Sequence, residues 1–492
     1  MVAYSPYISK SKYLSGLQCH KLLWHQYNAK TKIPPVDAAT QALFDQGHLI
    51  GEWAKRRYPA GRDVAKGFYD IPTVVQQSVE AVKQRVPLFE AGFVYKNAFA
   101  RVDILDPVGR VQWDIIEVKS STEVKEVHLH DLALQRYTYE GAGLSIRNCS
   151  LLHINNEYVR HGEIDPSSLF TLADVTKEVD DLLPHVELNL QAMLNIVRRR
   201  TFPDIPIGPY CNDPYTCPLH DMCWGDLPEH NVFTLYWSGQ KSFDLFRQGV
   251  TEIVYIPDDV PLNEKQKIQV NSLHSNTPHI DKAGIDSFLN ELEYPLYFLD
   301  FETFMTAIPL FENLRPYQQV PFQYSLHVVY SKNGAARHYG FLADGKSDPR
   351  PQILQRLQNE LGEKGSIVAY NASFEKSRIR EACESYPEYS FWQGKVEERF
   401  VDLLVPFRSF FYYHPDQKGS ASIKAVLPAL TGKTYEGMEI AEGETASLEF
   451  LRVTFSDVSE EERNKVRAQL EKYCKMDTES MIDIVNKLSV VS

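Results

Sequence analysis

Alternating apolar and polar residues predict several strands in the first half of the chain. In one of them, Ile116 and Val118 alternate with Glu117 and Lys119, and two serines then end the pattern. Because successive strand side chains point to opposite faces, Glu117 and Lys119 share one face. The same reasoning predicts strands at 91–100, 101–105, 112–118 and 149–158, a turn at 106–109, a short helix or turn at 11–27, and helices at 38–58, 71–89, 124–141 and 173–200.

The second half of the chain has longer apolar strands that alternate with helices. Residues 297–304 are almost wholly apolar, except that Asp300 and Glu302 lie two positions apart and therefore on one face. Strands at 323–330 and 336–343 should complete an antiparallel sheet with it. Further elements are expected as strands at 366–370 and 399–404, and as helices at 231–249, 263–275, 351–361, from 371 onward and at 460–488.

Length and composition predict a multidomain globular protein. A chain of 492 residues exceeds a single hydrophobic core, and we place domains at 1–228, 229–290 (a helical connector) and 291–492. The hydrophobic content of 43% and charged content of 24% are ordinary. No apolar run reaches about 18 residues and the N-terminus lacks a signal-peptide core, which predicts a cytoplasmic protein without membrane contact.

Asp103, Glu117 and Lys119 predict the first candidate site. One acid on a strand, followed on the next strand by Glu-x-Lys, suits metal-dependent phosphodiester hydrolysis, in which carboxylates hold a divalent cation and a lysine steadies the developing charge. The alternative is a solvent-facing edge strand with a cross-strand salt bridge. Gln135 and Tyr139 share a helix face at i, i+4, where they would contact substrate or hold the lysine strand.

Asp300 and Glu302 predict a second site. Burying two carboxylates on a central strand is unfavourable unless they bind cations, so this pair points to a two-metal centre. Near the C-terminus, Tyr473 and Asp477 lie at i, i+4 on one helix and share its face. The net charge of −13 gives no general sign of nucleic-acid binding, although carboxylate sites themselves contribute to it.

Cysteines cluster in the region that follows the first candidate site. Three of them form a C-x5-C-x5-C run, Cys19 lies near the N-terminus, and the other three are scattered. In a cytoplasmic chain such a cluster indicates metal binding rather than disulfides.

The order and spacing of Asp103, Glu117-x-Lys119 and Gln135-x-x-x-Tyr139 resemble the RecB-like branch of the PD-(D/E)XK nucleases. One cysteine before this core and three after it resemble the iron–sulfur subset of that branch. The resemblance implies that a [4Fe–4S] cluster is ligated by Cys19, Cys211, Cys217 and Cys223. A structural zinc ion is the alternative for the same thiolates. Gly51 stands where relatives usually carry a histidine metal ligand.

The second half resembles the DEDD exonucleases of the RNase H-like fold. Asp300 and Glu302 match the first motif, Asn371-x-x-Phe374-Glu375 the second (with Glu where Asp is usual), and Tyr473-x-x-x-Asp477 the third. By this resemblance, two Mg²⁺ or Mn²⁺ ions would be held by Asp300, Glu302, Glu375 and Asp477. Tyr473 would orient the attacking water, and Asp402 is a reserve ligand if Glu375 proves structural.

Together the halves resemble a bacterial family of predicted RecB-like nucleases with a C-terminal RNase H-like domain, which implies an α/β protein. Three function hypotheses follow: a two-centre nuclease acting on nucleic acid, with DNA favoured over RNA; a single C-terminal exonuclease centre with a cluster-stabilised N-terminal clamp; and a non-catalytic binding adaptor. Mutating each centre in turn distinguishes the first two hypotheses, and a measurement of metal binding distinguishes both of them from the third. No protein partner is predicted.

Overall fold

A computed structural model describes residues 6–64, 67 and 70–491. The fold is mixed α/β, and its contacts divide the chain into two compact units. The first contains the chain up to Asp226 together with Ala307–Tyr317, and the second contains Leu227–Thr306 and Gln318–Ser492. The predicted connector at 229–290 is thus grouped with the second unit. No helix of the described residues is long and apolar enough to cross a membrane.

The first unit is built on a six-stranded mixed sheet and a three-stranded sheet. Its strands are β1 (Ile8–Ser9), β2 (Arg62–Asp63), β3 (Leu88–Phe89), β4 (Gly92–Tyr95), β5 (Ala98–Arg101), β6 (Ile104–Val108), β7 (Gln112–Lys119), β8 (Ser145–Ile154) and β9 (Phe170–Asp174). Its helices are α1 (Lys10–Gln18), α2 (His20–Asn28), α3 (Ala38–Lys55), α4 (Ile71–Ala81), α5 (Glu126–Gly141), α6 (Pro166–Leu169), α7 (Thr176–Val197) and α8 (His220–Trp224). The strand orders are β2-β3-β6-β7-β8-β9 and β1-β5-β4.

Several predicted boundaries in this unit are wrong. The strand predicted at 91–100 is the hairpin β4–β5, and the strand predicted at 101–105 begins only at Ile104. Asp106 and Pro107, predicted in a turn, pair with β7 as part of β6, and the chain turns at Gly109, whose φ of +56° suits glycine. The helix predicted at 71–89 ends at Ala81, because a 3-10 turn and left-handed Arg85 follow it before β3.

The second unit is organised around a five-stranded sheet. Its strands are β10 (His279–Ile280), β11 (Leu296–Phe304), β12 (Val320–Val329), β13 (Ala336–Leu342), β14 (Ile367–Ala369), β15 (Phe400–Asp402) and β16 (Tyr412–Tyr413). Its helices are α9 (Gln240–Arg247), α10 (Glu264–Ser275), α11 (Lys282–Asn290), α12 (Arg350–Glu360), α13 (Ser373–Ser385), α14 (Ser390–Glu397), α15 (Val405–Arg408), α16 (Ile423–Thr431), α17 (Gly443–Phe455) and α18 (Glu460–Val491). The helix predicted at 231–249 is confined to α9, because Gly239 has a φ of +52° immediately before it.

The five-stranded sheet has the order β13-β12-β11-β14-β15. Strands β11, β12 and β13 are antiparallel, as predicted, whereas β14 pairs with β11 and β15 with β14 in parallel. Strand β11 is therefore central and buried on both faces, which accounts for its apolar composition. Helices α16, α17 and α18 complete the surroundings of its acidic positions.

Tyr139 on α5 packs in the core of the first unit. Its side chain is fully buried, with its ring against Phe93 at a centroid distance of 4.9 Å. The hydroxyl accepts a hydrogen bond from the backbone N–H of Val102 at 3.0 Å and donates one to the carbonyl oxygen of Ala91. These contacts hold the chain on either side of the β4–β5 hairpin, directly before Asp103.

We therefore expect Tyr139→Phe to lower the free energy of unfolding by about 1–2 kcal/mol, because the hydroxyl makes two buried hydrogen bonds. Urea unfolding followed by circular dichroism measures this loss. Tyr215→Phe, at a side chain that is 60% exposed, is the matched control and should change stability by less than about 0.5 kcal/mol. Equal stability of the two variants would contradict the role assigned to Tyr139.

Candidate metal centres

The first site lies where β7 ends beside the start of β6. The carboxylate of Glu117 accepts hydrogen bonds from Lys119 Nζ at 2.7 Å and from Gln135 Nε2 at 2.7 Å. Asp103 lies beside them, and its Oδ2 accepts from the backbone N–H of Val118 at 2.7 Å. The structure thus brings together Asp103, Glu117, Lys119 and Gln135, whereas the Tyr139 hydroxyl is engaged by backbone groups.

Two further residues of this site escaped sequence reasoning. Lys10, at the start of α1, donates to both oxygens of Glu117, at 2.7 and 2.9 Å. Asp131 on α5 accepts from Lys119 Nζ at 2.8 Å and from Gln135 Nε2 at 3.1 Å. Asp131 precedes Gln135 by one helical turn, so its position on the same face could have been noticed. Lys10 is 107 residues from Glu117 in the chain, and no local sequence pattern predicts that it reaches this site.

Burial and mutual charge control the ionisation of this cluster. Burial, and then the charges of Asp103 and Asp131, raise the pKa of Glu117 to about 7, although Lys10 and Lys119 oppose the shift. Burial also raises the pKa of Asp103. For Asp131 the two ammonium groups outweigh burial, and its pKa is lowered. Three carboxylates and two lysines make a cluster of formal charge −1 when all are ionised.

Gly51 on α3 lies where the RecB-like pattern usually has a histidine. A Cβ atom built at Gly51 meets no atom within 4 Å, so the fold leaves room for a side chain there. Glu90, which precedes the β4–β5 hairpin, has a φ of +60° and forms an ion pair with Arg101 at 2.7 Å. Position 51 itself therefore supplies no ligand to the first site.

The cysteines predicted to bind a cluster converge within the first unit. All four line one small, mainly apolar cavity: Cys19, Cys211, Cys217 and Cys223. Burial, followed by the charge of its neighbouring thiols, raises the pKa of Cys217 to about 11 in the metal-free chain. Cys19 lies between α1 and α2 in an extended conformation, which divides the helix predicted at 11–27.

The donor set suits both ligand alternatives. Four thiolates can hold a tetrahedral zinc ion, or a [4Fe–4S] cluster in which each thiolate binds a different iron.

The second site is a cavity of about 280 Å³ in the second unit. Strand β11 contributes Asp300 and Glu302, and α18 contributes Tyr473 and Asp477, all of which line the cavity. This confirms the two predictions that each of these pairs shares a face. Glu375 in the first turn of α13 is 2% exposed, and its charge acts on Asp300 and Glu302.

Cys474, Tyr435 and Lys424 belong to the second site but were not predicted. One oxygen each from Asp300 and Glu302 and the sulfur of Cys474 lie within 4.8 Å of one another, and the thiol donates to Asp300 Oδ2 at 3.7 Å. The Tyr435 hydroxyl donates to Asp477 Oδ1 at 2.6 Å. Lys424 lines the cavity at the start of α16.

The carboxylates of the second site resist ionisation. Burial, followed by their mutual repulsion, raises the pKa of both Asp300 and Glu302 well above ordinary values. Burial raises the pKa of Asp477 to about 6 and that of Glu375 to about 8. Glu375 Oε2 is buried without a hydrogen-bond partner. Such groups are stable as anions only if cations approach them.

Asp402, the reserve ligand, is engaged elsewhere. Its Oδ1 accepts hydrogen bonds from the backbone N–H groups of Asn371 and Leu404, at 2.9 and 3.0 Å. Asp402 therefore ties the end of β15 to the turn before α13, and it positions the helix that carries Glu375. The unpartnered Glu375 oxygen is the better candidate ligand.

Part of the second site lies in a segment that is similar to a known protein family. A family model for a domain of unknown function (DUF2779) matches residues 297–422. This match contains Asp300, Glu302 and Glu375 and ends before Tyr473 and Asp477.

Similar proteins occur in Mycoplasma and Ureaplasma species. An uncharacterized protein of Mycoplasma genitalium is 28% identical over 217 residues, which cover 40% of this chain and 32% of that protein. A homologue of that protein in Mycoplasma pneumoniae is 24% identical over 231 residues, covering 42% and 34%. An uncharacterized protein of Ureaplasma parvum is 24% identical over 239 residues, covering 44% and 34%. The chain thus spans about a third of the length of these curated relatives.

The raised pKa of Glu375 makes the stability of the metal-free protein depend on pH. Its pKa is 4.5 ordinarily and about 8 when folded, so between these values the folded chain binds more protons than the unfolded chain. The free energy of unfolding therefore falls as the pH rises through this interval. We expect Glu375→Gln to reduce this fall and to be more stable than wild type at pH 8 in the presence of a chelator.

Thermal unfolding at pH 5 and pH 8 tests this expectation. Glu363→Gln, at an exposed position in the same unit, is the control and should unfold at the same temperature as wild type at both pH values. If Glu375→Gln also unfolds at the wild-type temperature at both pH values, the pKa of Glu375 is not raised in the folded protein.

Proposed function

We propose that this protein is a metal-dependent nuclease that hydrolyses phosphodiester bonds of DNA, with an exonuclease centre in the second unit. The observation that carries the proposal is a set of four buried or half-buried carboxylates. Asp300, Glu302 and Asp477 line the 280 Å³ cavity, and Glu375 is buried close enough for its charge to act on Asp300 and Glu302. No cationic side chain among the described residues lies within salt-bridge distance of any of them. A carboxylate set of this kind suits hard divalent cations.

Each side chain has a defined part in this proposal. Asp300, Glu302 and Asp477 line the cavity and would hold Mg²⁺ or Mn²⁺ together with Glu375, and the bound ions would supply Lewis-acid stabilisation and a more acidic water. Tyr473 presents its ring to the same cavity and would orient the attacking water. Water adds to phosphorus, the bond to the leaving oxygen breaks, and that oxygen takes up a proton.

The first unit supports a second form of the proposal, in which it clamps nucleic acid without cutting. Lys10 and Lys119 both donate to Glu117, so its oxygens are already engaged by ammonium groups. A divalent ion held by Asp103 and Glu117 would have to compete with Lys10. In the two-centre form, Asp103 and Glu117 would hold the ion in place of the Lys10 contact, and Lys119 would stabilise negative charge on the substrate.

The four cysteines support a structural [4Fe–4S] cluster in the first unit. They come from two chain segments, Cys19 and the run from Cys211 to Cys223, and all four line one small cavity. A cluster at this position would fasten α1 and α2 to the segment that follows α7. Its contribution is thus to stability and not to hydrolysis.

The cutting centre is tested by Asp300→Ala and Lys119→Ala, assayed on labelled single- and double-stranded DNA and on RNA of the same sequence with Mg²⁺ or Mn²⁺. We expect Asp300→Ala to lower the rate by about 100-fold or more, because transition-state charge loses its stabilisation. An unchanged rate in Lys119→Ala supports the clamp, and a lost rate supports two centres.

Calorimetric titration with Mn²⁺ separates both forms from a non-catalytic adaptor. Wild type should bind Mn²⁺ more tightly than Asp300→Ala, because that variant lacks a central ligand. Equal weak binding by the two proteins, together with no cleavage of any substrate, would contradict the nuclease.

The cluster is tested by colour and metal content. Anaerobically purified protein should be brown with broad visible absorption and contain about four irons per chain, as a [4Fe–4S] cluster requires. Cys217→Ser should lose the colour and lower the thermal midpoint, while Cys383→Ser, a buried cysteine of the second unit, should keep the colour. A colourless wild type with one zinc per chain would contradict the cluster.

A further inference from the structure

Lys424 is the one cationic side chain that lines the cavity of the second site, in the part of the chain that the structure describes. It lies in the first turn of α16, where the Ser422 hydroxyl caps the helix by accepting from the Lys424 backbone N–H at 3.2 Å. The ammonium lies 5.9 Å from the ring centroid of Tyr473. Lys424 is thus held beside Tyr473 by a capped helix rather than by an ion pair.

The charge of Lys424 reaches the acids without being neutralised by contact. It lowers the pKa of both Glu302 and Asp477 against the larger effect of burial, yet forms no salt bridge with either. The side chain is exposed at the cavity, unlike the carboxylates around it. A ligand that enters the cavity can therefore reach the ammonium.

Charge balance in the site shows what this ammonium can bind. Four carboxylates carry −4, and the two divalent ions of the proposed function would bring the sum to zero. A phosphodiester adds one negative charge, which brings the sum to −1. One fixed ammonium supplies the missing positive charge and a strong hydrogen-bond donor.

We propose that Lys424 binds a non-bridging oxygen of the scissile phosphate and so positions it in the cavity. This inference rests on the proposed nuclease function. The alternative is that Lys424 only offsets the charge of Glu302 and Asp477 and never touches substrate.

Binding of single-stranded DNA without cleavage tests the contact. The probe is an oligonucleotide whose terminal linkages are phosphorothioates, compared with one whose final linkage is an uncharged methylphosphonate. We expect Lys424→Ala to weaken binding of the charged probe by roughly 10- to 100-fold, the usual range for a hydrogen bond to a charged group. The slope of log affinity against log salt should fall by about 0.7, which corresponds to one phosphate contact on a single strand.

The methylphosphonate probe identifies the linkage. In wild type it should bind more weakly than the charged probe, and in Lys424→Ala the difference between the two probes should be smaller, because one of the groups that interact with the charge is already missing. Lys424→Arg should restore part of the affinity and of kcat for cleavage of an unmodified oligonucleotide. Lys433→Ala, just beyond the other end of α16 in an ion pair with Asp483, is the control and should match wild type.

The outcomes separate this inference from the function on which it rests. If wild type cleaves DNA but Lys424→Ala keeps its rate, salt slope and preference for the charged probe, Lys424 only offsets charge and the inference is wrong. If wild type cleaves no oligonucleotide with either metal, the nuclease function fails first. If the unfolding curve of Lys424→Ala matches that of wild type, a loss of DNA binding or cleavage in this variant is not due to misfolding.

Discussion

The stability of the second unit depends on the free-energy cost of keeping several carboxylates out of water. Asp300 and Glu302 lie on the central strand of a sheet, and Glu375 and Asp477 are brought against them by two helices. Without cations, burial and mutual repulsion favour their protonated forms, as the raised pKa values show. Bound divalent cations would offset this free-energy cost, and this relation connects the stability of the unit to its proposed chemistry.

The first unit also buries carboxylates, but it compensates their charge differently. Its three carboxylates are compensated by two lysines within the protein, and Gln135 bridges Glu117 and Asp131. This network compensates most of its negative charge within the protein, which is why it supports both a cutting centre and a clamp. The first site therefore has three carboxylates and two lysines in ion pairs with them, whereas the second has four carboxylates and no such ion pair among the described residues.

Supporting residues in both units act through backbone groups. Tyr139 holds the chain before Asp103, and Asp402 holds the turn before the helix of Glu375. Both residues were singled out in the sequence as candidates for chemistry, and both instead satisfy backbone groups next to a metal-ligand candidate. Some residues of a motif therefore do not take part in the chemistry but hold the backbone that positions the candidate ligands.

The sequence alone determined the relations that depend on local geometry. Strand alternation placed Asp300 beside Glu302, and helical periodicity placed Tyr473 beside Asp477, because both rest on the repeat of one element. Tertiary structure decided what joins distant segments. Lys10, Lys424 and Tyr435 are ordinary polar or aromatic positions on their own elements, and only packing brings them to acids far away in the chain. Pairing with β7 likewise drew Asp106 and Pro107 from a predicted turn into β6, since ladder hydrogen bonds outweigh local turn preference.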